Sequence, residues 1–115
     1  MKMTSKDWLK FDHFNANEFN NPDEMRKELV EKLNYARMYA GVPFKITSSY
    51  REGDPRSHGK GLAVDIACTK SKKRWLIVRA LIVAGFTRIG IYDKHIHGDV
   101  DPDSPQNVIW IGESS

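Results

Sequence analysis

Two short segments of the chain carry side chains that could bind a metal and move protons. The first contains His58 and, seven positions later, Asp65. Glycines follow the histidine and let the backbone turn tightly, whereas Asp65 lies between Val64 and Ile66 in a run typical of a strand. A carboxylate on the opposite face of such a strand, flanked by small alanines, is costly to bury unless a cation or a hydrogen-bond donor compensates it.

The second segment carries potential metal-binding side chains at every second position: Asp93, His95, His97 and Asp99. Alternate residues of a strand share a face, so these side chains should line one strip of a sheet. Imidazole nitrogen and carboxylate oxygen donors without a thiolate suit Zn²⁺, with three protein ligands and a further position for water. A single His-x-His pair is often a surface coincidence, but the two segments together predict one metal site.

These segments resemble the zinc D-Ala-D-Ala metallopeptidases, a family that includes D,D-carboxypeptidases, vancomycin-resistance dipeptidases, phage endolysin peptidases and the related hedgehog signalling domain. The segment Ser48 to Arg51 is similar to the family's Ser-x-Tyr-Arg type segment, and Glu18-Phe19 looks like the Glu-Phe motif that opens many short members. The resemblance covers residues 11–101. Six residues match the pattern His-x-x-Gly-x-Ala-x-Asp and the later His-x-His pair: His58, Gly61, Ala63, Asp65, His95 and His97.

The resemblance implies roles for individual residues. Arg51 would bind the carboxylate of the substrate or polarise its scissile carbonyl, with Ser49 and Tyr50 as neighbouring substrate contacts. His95 would lie beside the metal and assist the tetrahedral intermediate or a proton transfer. One Zn²⁺ is implied, with three ligands: His58, Asp65 and His97.

The general base departs from the family pattern. In many members an acidic residue lies three positions before the last metal ligand, and that position is Lys94 in this chain. Asp93 lies one residue further back, and Asp99 lies two residues beyond the ligand. We predict Asp93 as the base and Asp99 as the second candidate. A third alternative is that Asp99 orients a metal ligand.

The elements that must position these residues predict an α+β domain. Asn21-Pro22 is typical of a helix start, and apolar residues at spacings of three and four predict an amphipathic helix that ends at Gly41. A second helix is predicted from Ser71 to Ala84, apolar nearly all round and therefore largely buried. Strands are predicted over residues 44–48, 62–67, 87–92, 94–100 and 108–111, with a loop over residues 52–60.

These elements make a mostly antiparallel sheet of four or five strands with two main helices. We expect one domain over residues 1–115, in which residues 1–20 form an N-terminal arm attached to the core. The three tryptophans, Trp8, Trp75 and Trp110, are predicted to be core aromatics.

Composition limits the class of protein. The 115 residues suit one domain, and 40% hydrophobic with 29% charged residues excludes a disordered chain. Cys68 is the one cysteine, so an internal disulfide is excluded and a buried, inert thiol is expected. No apolar run has the length of a signal peptide or a membrane span. We therefore expect a chain made in the cytoplasm without a signal peptide and without membrane insertion, acting at the cell wall or in the periplasm.

The sequence is compatible with three functions. The first is a zinc peptidase that cleaves stem or cross-link peptides of bacterial peptidoglycan, as a monomer, in phage lysis or host penetration. The second is a catalytically inactive, zinc-binding wall module on the same fold. The third, a nucleic-acid binder, is suggested by the net charge of +3 and the basic run Lys70 to Arg74. No known binding motif supports the third function, so no nucleic-acid partner is expected.

Overall fold

Five strands form one sheet in the computed structural model, which describes residues 1–112. The order across the sheet is first, second, fourth, third, fifth. Neighbouring strands are antiparallel, except that the third and the fifth are parallel. This arrangement confirms the predicted α+β class with a mostly antiparallel sheet. The strands are β1 (Ile46–Ser48), β2 (Ala63–Ala67), β3 (Arg88–Ile91), β4 (His95–Asp99) and β5 (Val108–Ile111).

Three α-helices accompany the sheet: α1 (Ser5–Trp8), α2 (Lys27–Ala40) and α3 (Ser71–Ala84). The bounds of α3 are those predicted, and Gly41 ends α2 in the left-handed conformation at φ 69°. The longest helices have 14 residues, and no helix within residues 1–112 has the length and apolarity needed to cross a bilayer.

The predicted start of α2 at Asn21-Pro22 is wrong. A 3₁₀ turn covers Pro22–Glu24, and Met25 is extended with ψ 143°. The carbonyl of Met25 accepts the N–H of Met3 at 2.8 Å, so the beginning of the chain pairs with this segment. This contact between distant residues prevents the helix from starting early, and a local sequence pattern does not reveal it.

The hydrophobic core lies between α2, α3 and one face of the sheet. Leu29 and Leu33 of α2 and Ile77 of α3 are fully buried against Ile66 and Ile96 of the sheet. The N-terminal arm contributes further buried side chains, which are Met3, Trp8, Phe14 and Phe19. Cys68 is buried and free, as predicted.

Helix α3 is less buried than its composition predicts. Ile77, Ala80 and Leu81 face the core, but Trp75 is 60% exposed and Ile82 is 52% exposed. Only one side of α3 packs against the rest of the domain, because nothing in residues 1–112 covers its outer side. The prediction that Trp75 is a core aromatic is therefore wrong.

The face of the sheet opposite the helices carries the polar residues. Asp65 on β2 is paired with His97 on β4. His95 and Asp99 lie on the same face as His97, because they are two residues away along β4. Val64 and Ile66 are directed to the core, as the alternation predicted.

Asp7 is expected to make folding sensitive to acid. The N–H of Thr4 donates to Asp7 at 2.9 Å and lowers the pKa of Asp7 from 3.8 to about 2. The charged carboxylate therefore stabilises the fold fully above about pH 4, and this contribution is lost as the pH falls through about 2. Asp7→Asn should lower the free energy of unfolding in urea at pH 7, with the gap to wild type closing towards pH 2. The exposed Asp12→Asn is the control, and a gap that persists to pH 2 would contradict this assignment.

Candidate metal centre

The structure brings together the three predicted metal ligands. His58 lies on a 3₁₀ turn, Ser57–Lys60, which leads into β2, whereas Asp65 and His97 face each other on β2 and β4. Asp65 Oδ1 is 3.3 Å from His58 Nε2 and 3.1 Å from His97 Nδ1. The three side chains are buried, and one donor atom from each lies within 4.8 Å of the others. This group could hold a metal ion.

Glycine is required in the turn that carries His58. Gly61 has a φ of 71°, and a Cβ there would lie 2.1 Å from the carbonyl oxygen of Glu24. A Cβ at Gly59 would lie 1.7 Å from the carbonyl oxygen of Asp54. Both glycines therefore allow close backbone packing, which fixes His58 in the turn before β2.

The imidazoles of His58 and His97 are each anchored through the ring nitrogen that points away from Asp65. His58 Nδ1 lies 2.6 Å from the carbonyl oxygen of Ser49, which can only accept, so Nδ1 carries the proton. His97 Nε2 lies 2.6 Å from Asp99 Oδ2 and donates to that carboxylate. In the neutral imidazoles, the nitrogens that face Asp65 then carry lone pairs. Two lone pairs and a carboxylate oxygen at such distances repel one another unless protons or a cation lie between them.

The charge states of the group follow from this geometry. Burial raises the pKa of Asp65, but hydrogen bonds and charge from His58 and His97 outweigh burial and hold it well below its usual range. Burial lowers the pKa of His97, but hydrogen bonds to Asp65 and Asp99 outweigh burial and raise it. Metal binding must therefore release a proton from the group when His97 is protonated.

Asp99 supports His97 and does not face the cleft freely. Its side chain is 1% exposed, and Oδ1 accepts from Arg88 Nε at 2.9 Å and from the N–H of Asp101 at 3.1 Å. The other oxygen accepts from His97. Both oxygens are thus engaged, which favours the third alternative stated above, in which Asp99 orients a metal ligand.

Asp93, the residue predicted as general base, is not brought to the centre. It is exposed in the turn between β3 and β4, and it is not among the described residues that line the cleft over the centre. The reason is that β4 begins at His95, so the strand alternation does not extend back to Asp93. Arg74 on α3 donates to the carbonyl oxygen of Asp93 at 2.7 Å and holds the turn there.

His95 and Arg51 approach the centre from its open side. His95 Nε2 and Arg51 Nη2 each lie 3.8 Å from Asp65 Oδ2. The Ser48 hydroxyl at 3.0 Å and the Asp54 carboxylate at 3.3 Å hold the guanidinium, which remains 54% exposed. The geometry places an imidazole and a guanidinium beside the candidate metal group.

Ser49 and Tyr50 do not line the cleft, contrary to the prediction that they contact substrate. Ser49 is fully buried, and its hydroxyl donates to Asn20 at the end of the N-terminal arm. Tyr50 is half-buried and packs against the core. Ser49 contributes to the site through its carbonyl oxygen, which fixes the tautomer of His58.

A cleft of about 320 Å³ opens over the metal group. Trp110, predicted to lie in the core, is half-buried in this cleft. The signal was present in the alternation of β5, where Ile109 and Ile111 share the opposite face. The other lining residues that the sequence interpretation missed are Asp54, Arg56, Ser57, Arg88, Tyr92, Asp101 and Ser104.

Comparisons of the chain with protein families, with curated proteins and with solved structures found no match. The resemblance to zinc D-Ala-D-Ala metallopeptidases therefore stays a prediction from the motifs.

Proposed function

We propose that this chain is a zinc-dependent peptidase that cleaves stem or cross-link peptides of bacterial peptidoglycan. The observation that supports the proposal is the buried group of His58, Asp65 and His97 at the floor of an open cleft. The motif resemblance supplies the substrate class and suggests a role in phage lysis.

Zinc is the metal that the donor set suits best. Two imidazole nitrogens and one carboxylate oxygen, with a position left for water, are typical of catalytic zinc, whereas structural zinc takes four protein ligands. When bound, zinc supplies a water with its pKa lowered to about 7 and polarises a peptide carbonyl. Ser49 and Asp99 orient the two imidazoles for this role.

His95 takes the proton-transfer role first given to Asp93. Its Nε2 faces the open side of the centre, and its ring stacks on Tyr92 with centroids 4.4 Å apart and planes at 10°. The stack fixes the imidazole so that Nε2 can accept a proton from the attacking water and return it to the leaving amine. A histidine suits both steps because the same ring nitrogen can accept a proton and later donate it.

Arg51 is proposed to bind the substrate's terminal carboxylate, because its planar fork can donate two parallel hydrogen bonds. Arg51→Lys keeps the charge and loses the fork, so we expect kcat/KM to fall about tenfold to a hundredfold while one zinc stays bound. Peptide hydrolysis and metal analysis of the same preparation measure both quantities. Arg79→Lys, exposed on α3 and outside the cleft, is the matched control. Undiminished cleavage by Arg51→Lys would contradict this role.

Digestion of purified peptidoglycan, with mass analysis of the fragments, tests the proposed function. We expect cleavage at D-amino-acid peptide bonds, loss of cleavage with a chelator, and recovery with added zinc. Release of single D-alanine would identify a carboxypeptidase, and separation of cross-linked peptides would identify an endopeptidase. Cleavage that survives complete metal removal would refute the proposal.

Three observations favour a second candidate, an inactive zinc-binding cell-wall module. Asp99 is fully engaged, Asp93 lies outside the cleft, and Lys94 occupies the position of the family's acidic residue. Bound zinc with tight binding to peptidoglycan and no fragments released would support this second candidate.

A further inference from the structure

Tyr92 and Trp110 form an aromatic side of the cleft, which we name the aromatic wall. The indole N–H of Trp110 donates to the Tyr92 hydroxyl at 3.1 Å. The Trp110 ring lies 5.5 Å from the ring of His97, and Tyr92 stacks on His95. The wall therefore contacts both a metal ligand and the proposed proton carrier.

Two glycines of the sheet region leave room for the rings of Trp110 and Tyr92. Gly90 on β3 is paired with both His97 and Trp110. A Cβ at Gly90 would lie 2.6 Å from the Trp110 indole, and a Cβ at Gly112 would lie 2.0 Å from the Tyr92 ring. Each ring thus occupies the space above a glycine, so the wall is a fixed surface next to the metal group.

Arg88 holds the wall from the other side. Its guanidinium lies 5.1 Å from the Trp110 ring, donates to the carbonyl oxygen of Pro105 at 2.8 Å, and pairs with Asp99. One cation therefore fixes both the aromatic wall and the carboxylate that orients His97.

The strand order places the wall and Arg51 at opposite ends of the cleft. Arg51 follows β1 at one edge of the sheet, the metal ligands Asp65 and His97 lie on the adjacent strands β2 and β4, and Trp110 lies on β5 at the other edge. A substrate lying across the metal group then has one end at Arg51 and the other at the wall. If Arg51 takes the terminal carboxylate, the wall faces the residue before the scissile bond.

The wall has a defined chemistry. Trp110 uses its one donor on Tyr92, and within residues 1–112 no acceptor takes the hydrogen of the Tyr92 hydroxyl. The wall thus presents apolar ring faces and one O–H donor. The cleft volume of about 320 Å³ is near the lower end of the range for ligand sites, which is about 300–1,000 Å³. Such a surface suits a small apolar side chain and a backbone carbonyl.

We propose that the aromatic wall is the specificity surface for the residue on the acyl side of the scissile bond. Trp110 selects a small side chain there, and Tyr92 donates its hydroxyl hydrogen to the carbonyl of the substrate. This inference rests on the proposed function, because it uses the orientation given by Arg51.

Selectivity between two peptides tests the wall. The substrates are diacetyl-L-Lys-D-Ala-D-Ala and diacetyl-L-Lys-D-Leu-D-Ala, which differ only at the acyl-side residue. Wild type should prefer alanine, and Trp110→Ala should reduce this preference by about tenfold or more. Tyr92→Phe should lower kcat/KM for both peptides by about twofold to tenfold and leave the preference unchanged. The exposed Trp75→Ala is the matched control, and zinc content verifies that each variant keeps its metal group.

Fluorescence supplies a readout that needs no activity. Titration of metal-free protein with diacetyl-L-Lys-D-Ala-D-Ala should change tryptophan emission saturably in wild type and Trp75→Phe, but not in Trp110→Phe. An emission response without cleavage by the zinc-loaded protein would refute the proposed peptidase function but support the aromatic wall as a binding surface for the peptide. If Trp110→Ala cleaves with an unchanged preference for alanine and wild type shows no emission response, the specificity role of the aromatic wall is overturned. The proposed peptidase function would then still stand. Absence of both cleavage and response would overturn both.

Discussion

Asp65→Asn is expected to abolish zinc binding at micromolar metal and to remove the proposed peptidase activity. The amide has no charge, and its carbonyl is a weak zinc ligand beside two imidazoles that are already oriented for the metal. In wild type, zinc at about 1,000 times its Kd should stabilise the fold by about 4 kcal/mol, which for a domain of this size raises the Tm by about 10–20 °C. The variant should lose this zinc-dependent rise entirely.

Calorimetric titration and thermal unfolding with and without zinc measure this effect. Asp54→Asn is the control, because Asp54 also lines the cleft but lies outside the group of three ligands. It should keep both the bound zinc and the rise in Tm. Retained zinc affinity in Asp65→Asn would show that other residues hold the metal.

Asp99→Asn is expected to weaken zinc binding by about 10–100-fold. The carboxylate fixes His97 with its Nε2 protonated, and the neutral amide can present an N–H to that nitrogen and stabilise the wrong tautomer. Arg88 also loses its charged partner, so we expect the free energy of unfolding to fall by about 1–3 kcal/mol. Zinc titration and urea unfolding measure the two effects.

The same variant separates a supporting role from a catalytic one. If Asp99 orients His97, saturating zinc should restore most of the peptidase activity of Asp99→Asn. If Asp99 is the general base, zinc affinity should be unchanged while kcat falls and zinc does not restore it. Asp103→Asn in the adjacent loop is the control, because its side chain is 77% exposed.

Local alternation predicted much of the site. The run from Val64 to Ile66 placed Asp65 on the polar face of β2, and the alternation of His95 and His97 held because both residues lie within β4. The glycines after His58 indicated a tight turn, which the close approach of the Glu24 and Asp54 carbonyls explains. Residue type and spacing were sufficient where the chemistry lies inside one regular element.

The remaining features depend on contacts between distant parts of the chain. Asp93 fell outside the site because β4 starts two residues later, a boundary that the sequence pattern does not mark. Ser49 supports His58 through its backbone, since its hydroxyl is engaged by Asn20 of the N-terminal arm. The alternation of β5 separates Trp110 from Ile109 and Ile111, but the place of Trp110 in the cleft depends on the parallel pairing of β5 with β3 over Gly90.

The most direct measurement is an X-ray structure of the protein crystallised with zinc, with anomalous data collected on both sides of the zinc absorption edge. We expect one strong edge-dependent peak, about 2.0–2.2 Å from His58 Nε2, Asp65 Oδ1 and His97 Nδ1. A peak bound by other residues, or no peak at these three atoms in crystals whose solution contains excess zinc, would contradict the proposed zinc site.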